Sequence, residues 1–145
     1  MIGTGIGHPS LNALTDPVAT LGMLLVGLVA LLHVWFLALE MFLWEKPLGR
    51  RVFRMTEQQA AATAALAKNQ GLYNGFLAAG LFWGFMLASD GAPYARDIEI
   101  FFLGCVVVAG LYGGATVSRR IVLVQALPAA IAIIPVWLSW PHGMG

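Results

Sequence analysis

Charged residues are scarce in this sequence of 145 residues: 10% are Asp, Glu, Lys or Arg, whereas 59% are hydrophobic and the mean hydropathy is +0.81. A soluble domain of this size needs a more highly charged surface, so the composition excludes that class and indicates an integral membrane protein. Lys and Arg are absent before Lys46, and no small-residue cleavage site follows the first apolar stretch. We therefore expect the first apolar helix to be retained rather than removed as a signal peptide.

Motifs for metal, nucleotide and thiol chemistry are missing as well. Cysteine occurs once, at Cys105, which excludes a disulfide within the chain and is interpreted as a buried packing thiol. There is no HExxH motif, and the spacing of His33, Glu40 and Met41 matches no recognised metal site, so we predict neither a metal nor a cofactor. No phosphate-binding loop or nucleophile elbow supports soluble-type group transfer. The net charge of +1 gives no indication of a nucleic-acid partner.

Four apolar stretches occupy most of the chain, each near or above the roughly 20 residues that span a bilayer as a helix. We predict an all-α fold, a four-transmembrane-helix bundle that forms a single integral membrane domain over residues 1–145. The predicted spans are residues 18–44, 72–89, 98–117 and 121–140.

Basic residues are distributed unequally between the two sides of this predicted bundle. Seven of the eight Lys and Arg residues fall on one side, five of them between residues 45 and 70 and two at Arg119 and Arg120, while Arg96 lies on the other. The positive-inside rule makes the richer side cytoplasmic, so we predict that the N- and C-termini lie outside. This topology is that of a multi-pass protein of the cell inner (plasma) membrane, with the lipid bilayer as its surroundings.

The segment between the first two spans has features of a helix of its own. Pro47 and Gly49 are expected to end the first helix, and Thr56 followed by Gln59 forms a capping box that opens an Ala-rich helix. Nothing breaks this helix before Gly71, so it is expected to form a cytoplasmic helical extension of the second span. The alternative is an amphipathic helix on the membrane surface with a kink at Gly71.

Small and kinking residues indicate how the helices pack. Glycines recur at four-residue spacing, which allows helix backbones to approach closely, either within the bundle or between subunits of a homo-oligomer. The pairs are Gly71 and Gly75, Gly80 and Gly84, and Gly110 and Gly114. Pro128 and Pro135 are expected to bend the fourth helix and to free backbone carbonyls inside the bundle.

His33 and Glu40 are the most informative residues for function. They lie seven residues apart in a stretch otherwise free of acids and bases, so both side chains point to one face of a membrane-length helix. Other polar residues gather at the predicted cytoplasmic ends of the spans, whereas the outer halves of the later spans are almost wholly apolar. We predict a pocket open to the cytoplasm whose ligand-binding residues are Gln70, Asn74, Tyr112, Gln125, Asn69 and Trp35.

Both structural and catalytic roles are open for the His-Glu pair. In a poorly hydrated site Glu40 could act as a general acid or proton carrier, with His33 as a complementary base; these are the catalytic candidates. Alternatively, Glu40 could pair with Arg50 or Lys46, and His33 could donate a hydrogen bond to a carbonyl of a neighbouring helix. The amide side chains could equally hold helices together.

Three functions remain compatible with these residues. The first is an acid/base enzyme that binds a lipophilic small molecule and carries out an isomerisation, hydration or ring opening. The second is a proton-coupled small-molecule exporter that works as a dimer, because four helices seldom enclose a translocation path alone. The third is an assembly or structural subunit of another membrane protein.

Three motifs arrive in order: H-x6-E beginning at His33, N-Q-G-x-Y-N-G beginning at Asn69 and Q-A-L-P beginning at Gln125. With these motifs, and with FFLGCVVVAGLYGGATV over residues 101–117, the chain from Gly22 to Ile133 resembles a family of small integral membrane proteins of bacteria and fungi known only as a domain of unknown function. The resemblance implies a four-helix membrane protein. It implies no activity, substrate or cofactor, and nothing about the residues before Asp16 or after Ser139.

Overall fold

The computed structural model describes residues 16–139, and every regular element within that range is helical. The predicted all-α class is therefore confirmed for this part of the chain. In chain order, the elements are α1 (Pro17–Met41), α2 (Pro47–Phe53), α3 (Glu57–Ser89), α4 (Ala95–Thr116), a π-helical turn (Val122–Ala126) and α5 (Leu127–Leu138). The predicted positions of both termini, and Trp140 at the end of the predicted fourth span, lie outside the described residues.

Three of these helices, α1, α3 and α4, are long and apolar enough to cross a membrane. They contain 25, 33 and 22 residues. The π-helical turn and α5 together form a shorter apolar helix, Val122–Leu138. A membrane protein with at least three candidate spans is thus supported, whereas the fourth crossing stays a prediction.

The first helix ends earlier than the sequence indicates. Asp16 caps its start by accepting a hydrogen bond from the Val18 N–H (2.9 Å), but its last residue is Met41 rather than Trp44. Pro47 does not end this helix; it occupies the first position of α2, where the missing N–H of proline costs nothing. The expectation that Pro47 and Gly49 terminate the first helix is therefore wrong, because both residues belong to a separate short helix.

The predicted capping box at the start of α3 is confirmed. Thr56 Oγ1 accepts from the Gln59 N–H (3.2 Å), and Gln59 Oε1 accepts from the Thr56 N–H (2.9 Å). From Glu57 the helix continues without interruption to Ser89, which agrees with the predicted extension of the second span. At about 1.5 Å per residue this helix is about 50 Å long, so it exceeds the roughly 30 Å hydrocarbon core of a bilayer.

Packing is antiparallel, with α1 and α4 each in contact with α3 and with α5. This arrangement puts seven of the eight basic residues at one end, here called the basic end. They are Lys46, Arg50, Arg51, Arg54, Lys68, Arg119 and Arg120. Where the four apolar stretches meet, a core of aliphatic side chains is buried: Val26, Val29, Ala30, Leu81, Leu103, Val106, Ala129, Ala132 and Val136.

The paired glycines pack against neighbouring helices of the same chain. Those at positions 71 and 75 face α1, those at 80 and 84 face α4, and those at 110 and 114 face the π-helical turn. A Cβ atom added at Gly110 would lie 2.6 Å from the backbone nitrogen of Ala126, closer than two non-bonded atoms can approach. The interpretation of these glycines as contacts within the bundle is confirmed, because each faces another helix of its own chain.

Gly110→Ala is therefore expected to lower the free energy of unfolding by about 1–3 kcal/mol, since the obstructing atom is backbone and cannot rotate away. Gly104→Ala is the matched control on the same helix, because no atom lies within 4 Å of its added Cβ. Thermal unfolding of the protein in detergent measures the stability of both variants. Equal melting temperatures for the two variants would show that α4 does not approach the π-helical turn this closely.

Candidate functional site

Glu40 forms a hydrogen bond that joins α1 to α3. The Asn74 side-chain amide donates to Glu40 Oε2 at 2.7 Å, and the same nitrogen lies 3.4 Å from the Gln70 carbonyl oxygen. Asn74 is only 5% exposed, and Glu40 is partly buried. Glu40, a catalytic candidate, and Asn74, a ligand-binding candidate, are therefore hydrogen-bonded to each other.

Close contact between α1 and α3 makes this hydrogen bond possible. A Cβ atom at Gly71 would lie 3.1 Å from both Glu40 Cβ and the Met41 backbone nitrogen. Since Asn74 follows Gly71 by three residues, its side chain lies on nearly the same face of α3 and reaches the carboxyl group directly. Arg50, a candidate ion-pair partner of Glu40, instead binds Glu57 at 2.6 Å.

His33 forms a second link, between α1 and the π-helical turn. The ring is 1% exposed; its Nδ1 lies 2.8 Å from the Val29 carbonyl oxygen, and its Nε2 lies 3.4 Å from Gln125 Nε2. A carbonyl can only accept, so Nδ1 carries the proton, and Nε2 then accepts from the Gln125 amide. The carbonyl partner belongs to α1 itself, so the alternative of a carbonyl on a neighbouring helix is not realised.

The π-helical turn that carries Gln125 precedes a proline. Its N–H groups reach one residue further back than in an α-helix, as in the hydrogen bond from Leu127 N–H to the Val122 carbonyl. Pro128 has no N–H, so the α-helical bond to the carbonyl of residue 124 cannot form, and a local change of helix type accommodates the gap. The expected distortion near Pro128 is thus a π-helical turn.

The two links are separate in space. His33 and Glu40 are seven residues apart on one helix face, which corresponds to about 10 Å along the axis. Among the hydrogen bonds of residues 16–139, none joins them to each other; each is bonded across to a different element. A molecule that contacted both groups would therefore have to extend over about two helical turns.

Two cavities lie on the surface of the helices near these links. One, of about 350 Å³, is an apolar groove lined by Met23, Leu24, Gly27, Leu28, Leu31, Phe82 and Phe85. The other, of about 340 Å³, lies at the basic end and is lined by Met41, Phe42, Trp44, Glu45, Lys46 and Lys68. Neither is lined by His33 or Glu40, so the predicted polar pocket around those two residues stays a prediction.

Comparison with known proteins gives a family. The model of a protein family described as "protein of unknown function (DUF1304)" matches residues 27–137. The chain belongs to this DUF1304 family. It is also similar to the uncharacterized protein YpaA of Lactococcus lactis subsp. lactis (strain IL1403), with 32% identity over 109 residues, 74% of this chain and 88% of the relative. No solved structure matches the chain.

Membership in DUF1304 confirms the resemblance drawn from the H-x6-E, N-Q-G-x-Y-N-G and Q-A-L-P motifs. Each motif contributes one residue or more to the two links of this chain: the first holds His33 and Glu40, the second Asn74, and the third Gln125. The motifs that carry the resemblance are therefore also the segments that supply the side chains of both links.

Four other candidate ligand residues lie on the surface of the protein. Tyr112 is 72% exposed and Trp35 is 46% exposed, and the side chains of Asn69 and Gln70 are exposed as well. Gln70 contributes only its backbone carbonyl to the Glu40–Asn74 link. A role for these four residues in ligand binding stays a prediction.

Glu99 is a buried carboxyl group that sequence reasoning missed. It is 4% exposed, Oε1 has no hydrogen-bond partner among residues 16–139, and a Cβ at Gly84 would lie 2.7 Å from its Cγ. The residue lies in the half of the bundle expected to be almost wholly apolar. It follows Arg96 and Asp97 at the edge of an apolar stretch, a position typical of residues at the membrane interface. The sequence signal that could have located it is the Gly80–Gly84 pair on α3, which faces α4.

Asn74→Ala is expected to lower the free energy of unfolding by about 1–3 kcal/mol, because it leaves the Glu40 carboxyl partly buried without its amide donor. Asn69→Ala, on the same helix but exposed, should change it by less than about 0.5 kcal/mol. Chemical or thermal unfolding of the detergent-solubilised protein measures the difference. Equal effects would mean that the bond to Glu40 does not stabilise the α1–α3 contact.

Proposed function

We propose that this protein binds a lipophilic small molecule at the Glu40–Asn74 and His33–Gln125 links and acts on it as an acid/base enzyme, with Glu40 as proton donor and His33 as base or orienting group. The observation that carries the proposal is the 2.7 Å hydrogen bond between Asn74 and Glu40, which joins two helices of membrane-spanning length. Acidic residues are rare at such positions and usually mark a functional path or site.

The partner of Glu40 suits a proton-transfer role. Asn74 is an amide, so it orients the carboxyl group without a fixed positive charge, and Glu40 keeps the ability to bind and to release a proton. A cationic partner would instead hold the group as a carboxylate. Arg50, the arginine nearest in sequence, is already bonded to Glu57.

His33 is arranged as a complementary base. Its Nδ1–H is committed to the Val29 carbonyl, which leaves the Nε2 lone pair directed away from its own helix. The contact of that atom with Gln125 is 3.4 Å, at the long end of hydrogen-bond distances, so a ligand group could replace it at little cost. The ring is further positioned by Phe36, whose centroid is 5.6 Å away in an edge-to-face arrangement.

The separation of the two groups restricts the ligand. A substrate that reaches both carboxyl and imidazole must be elongated, since the two lie about 10 Å apart along α1. Its surroundings between them are apolar, because Leu37 packs against Gly75 there. These features suit a lipophilic molecule with a polar or unsaturated group, and reaction types such as isomerisation, hydration or ring opening.

The test is whether Glu40 and His33 act on one ligand. Glu40→Gln keeps the acceptor for Asn74 and should leave the melting temperature nearly unchanged, but turnover should fall by about 10²–10⁴-fold because a general acid is lost. His33→Ala should lower turnover of the same molecule. The loss of transition-state stabilisation in the double variant should be much smaller than the sum of the losses in the two single variants. The molecule is first identified by mass spectrometry of compounds that co-purify with the protein.

Asp90→Asn is the matched control, because it removes an exposed carboxyl group at the end of α3. It should leave turnover and the co-purified compound unchanged. Unchanged ligand binding in the Glu40 and His33 variants, with only a lower melting temperature, would refute the enzyme and favour the assembly or structural subunit. Additive effects on turnover would argue for two independent roles.

A proton-coupled exporter working as a dimer is the second candidate, and Glu99 favours it. Glu40 contacts α3 at Gly71 and Glu99 contacts it at Gly84, 13 residues further along, or about 20 Å. Carboxyl groups at two depths along α3, one partly buried and one buried, suit a proton that moves through the bundle. Glu99→Gln should then abolish accumulation of the co-purified molecule in proteoliposomes while preserving its binding. The enzyme would be favoured if the Glu99→Gln variant turned over the co-purified molecule at the full rate and the unaltered protein did not accumulate that molecule in proteoliposomes.

A further inference from the structure

The cavity at the basic end combines positive charge with an apolar wall. Lys46 and Lys68 line one part of it, and Met41, Phe42 and Trp44 line another. Lys46 comes from the connection after α1, whereas Lys68 comes from α3, so two different elements each contribute a basic residue to the cavity lining. Only the tertiary structure brings them to the same place, since they are 22 residues apart in the chain.

Both lysines are available to a ligand. Across residues 16–139, neither takes part in a salt bridge within the chain, and both side chains are exposed. Glu45 also lines the cavity, so two cations face a single carboxylate there. Arg50, by contrast, is held by Glu57, and Arg51 and Arg54 do not line this cavity.

The apolar wall is held in place from three sides. The Trp44 indole N–H donates to Thr63 Oγ1 at 3.1 Å, and its ring lies 4.6 Å from that of Phe53, centroid to centroid. Thr63 is in turn bonded to the Gln59 carbonyl oxygen at 2.8 Å. Met41 is pressed against Gly71 of α3. Two of the three apolar residues of the wall, Met41 and Trp44, are therefore held by contacts within the chain.

We propose that this cavity binds the phosphate head group of an anionic membrane lipid between Lys46 and Lys68, with the first part of its hydrocarbon chain against Met41, Phe42 and Trp44. Lysine ammonium groups bind phosphate as point charges, and basic pockets at the ends of membrane helices accommodate lipid head groups. The volume of about 340 Å³ lies at the lower end of the range of ligand sites, which suits a head group rather than a whole lipid.

An amphiphile accounts for the lining better than free phosphate does. A free phosphate ion would use only the lysines and would leave three large apolar side chains facing water. The inference goes beyond the proposed function and stands without it, although the two sites adjoin, because Met41 lines the cavity and, like Glu40, lies against Gly71. A lipid held by its head group here would have its chain beside the Glu40–Asn74 link.

The experiment measures binding of short-chain phosphatidic acid to the full-length protein in detergent by native mass spectrometry. Lys46→Ala and Lys68→Ala should each weaken binding about tenfold, the loss expected for one charge-assisted contact. Arg119→Ala is the matched control, since it removes the same charge at the same end but outside the cavity. It should weaken binding less than about twofold, the extent of a screened surface charge. Inorganic phosphate at the same concentration should not compete.

Three outcomes would overturn the head-group site. They are equal binding by all variants, equal weakening by Arg119→Ala and the lysine variants, and displacement of the lipid by inorganic phosphate, which would indicate a free-phosphate site. Glu40→Gln separates this inference from the proposed function. Loss of head-group binding in the lysine variants, with unchanged turnover in Glu40→Gln, would uphold the lipid site and refute the enzyme. The reverse pattern would uphold the enzyme alone.

Discussion

The contact between α1 and α3 at Gly71 is the constraint on which the rest of this structure depends. Without a side chain at that position, the two backbones come close enough for Asn74 to reach the Glu40 carboxyl group. A larger residue would displace Met41 as well, and Met41 is one wall of the cavity at the basic end. One glycine therefore couples helix packing, the buried hydrogen bond and the lysine-lined cavity.

Buried polar groups in this protein act as links between helices as well as candidates for chemistry. An unpaired polar group in a membrane is costly, and a hydrogen bond to a neighbouring helix offsets that cost. Glu40 and His33 both follow this rule, each with an amide partner on another element. Glu99 departs from it, because one of its carboxyl oxygens is buried without a partner in the described part of the chain. A buried polar group without a partner calls for an explanation. Glu99 is therefore the residue that most favours a function at the end of the bundle opposite the basic end.

Much of the site could be derived from residue spacing. His33 and Glu40 were placed on one face by their separation of seven, and Asn74 was assigned to the same predicted pocket from its place at the start of the second span. The spacing of residues along the chain does not determine which amide side chain bonds to Glu40. Asn74 is buried against α1, whereas the side chains of Asn69 and Gln70 are exposed; this depends on the rotation of α3 about its axis and on where along α3 the contact with α1 ends, which is near Gly71 and Met41. The end of α1 at Met41, the short α2 and the π-helical turn before Pro128 were likewise outside what periodicity encodes.

The sequence by itself determined that this is an apolar, all-helical DUF1304 protein, with an α3 that begins at a capping box and with glycines where helices meet, since composition, capping and spacing are local properties. Only the tertiary structure decided that Gln125 faces His33, that Glu99 is buried against Gly84, and that Lys46 and Lys68 share a cavity. These contacts join residues from different helices. They depend on how each helix is rotated and how deeply it packs, which is set by the fit of all the side chains together.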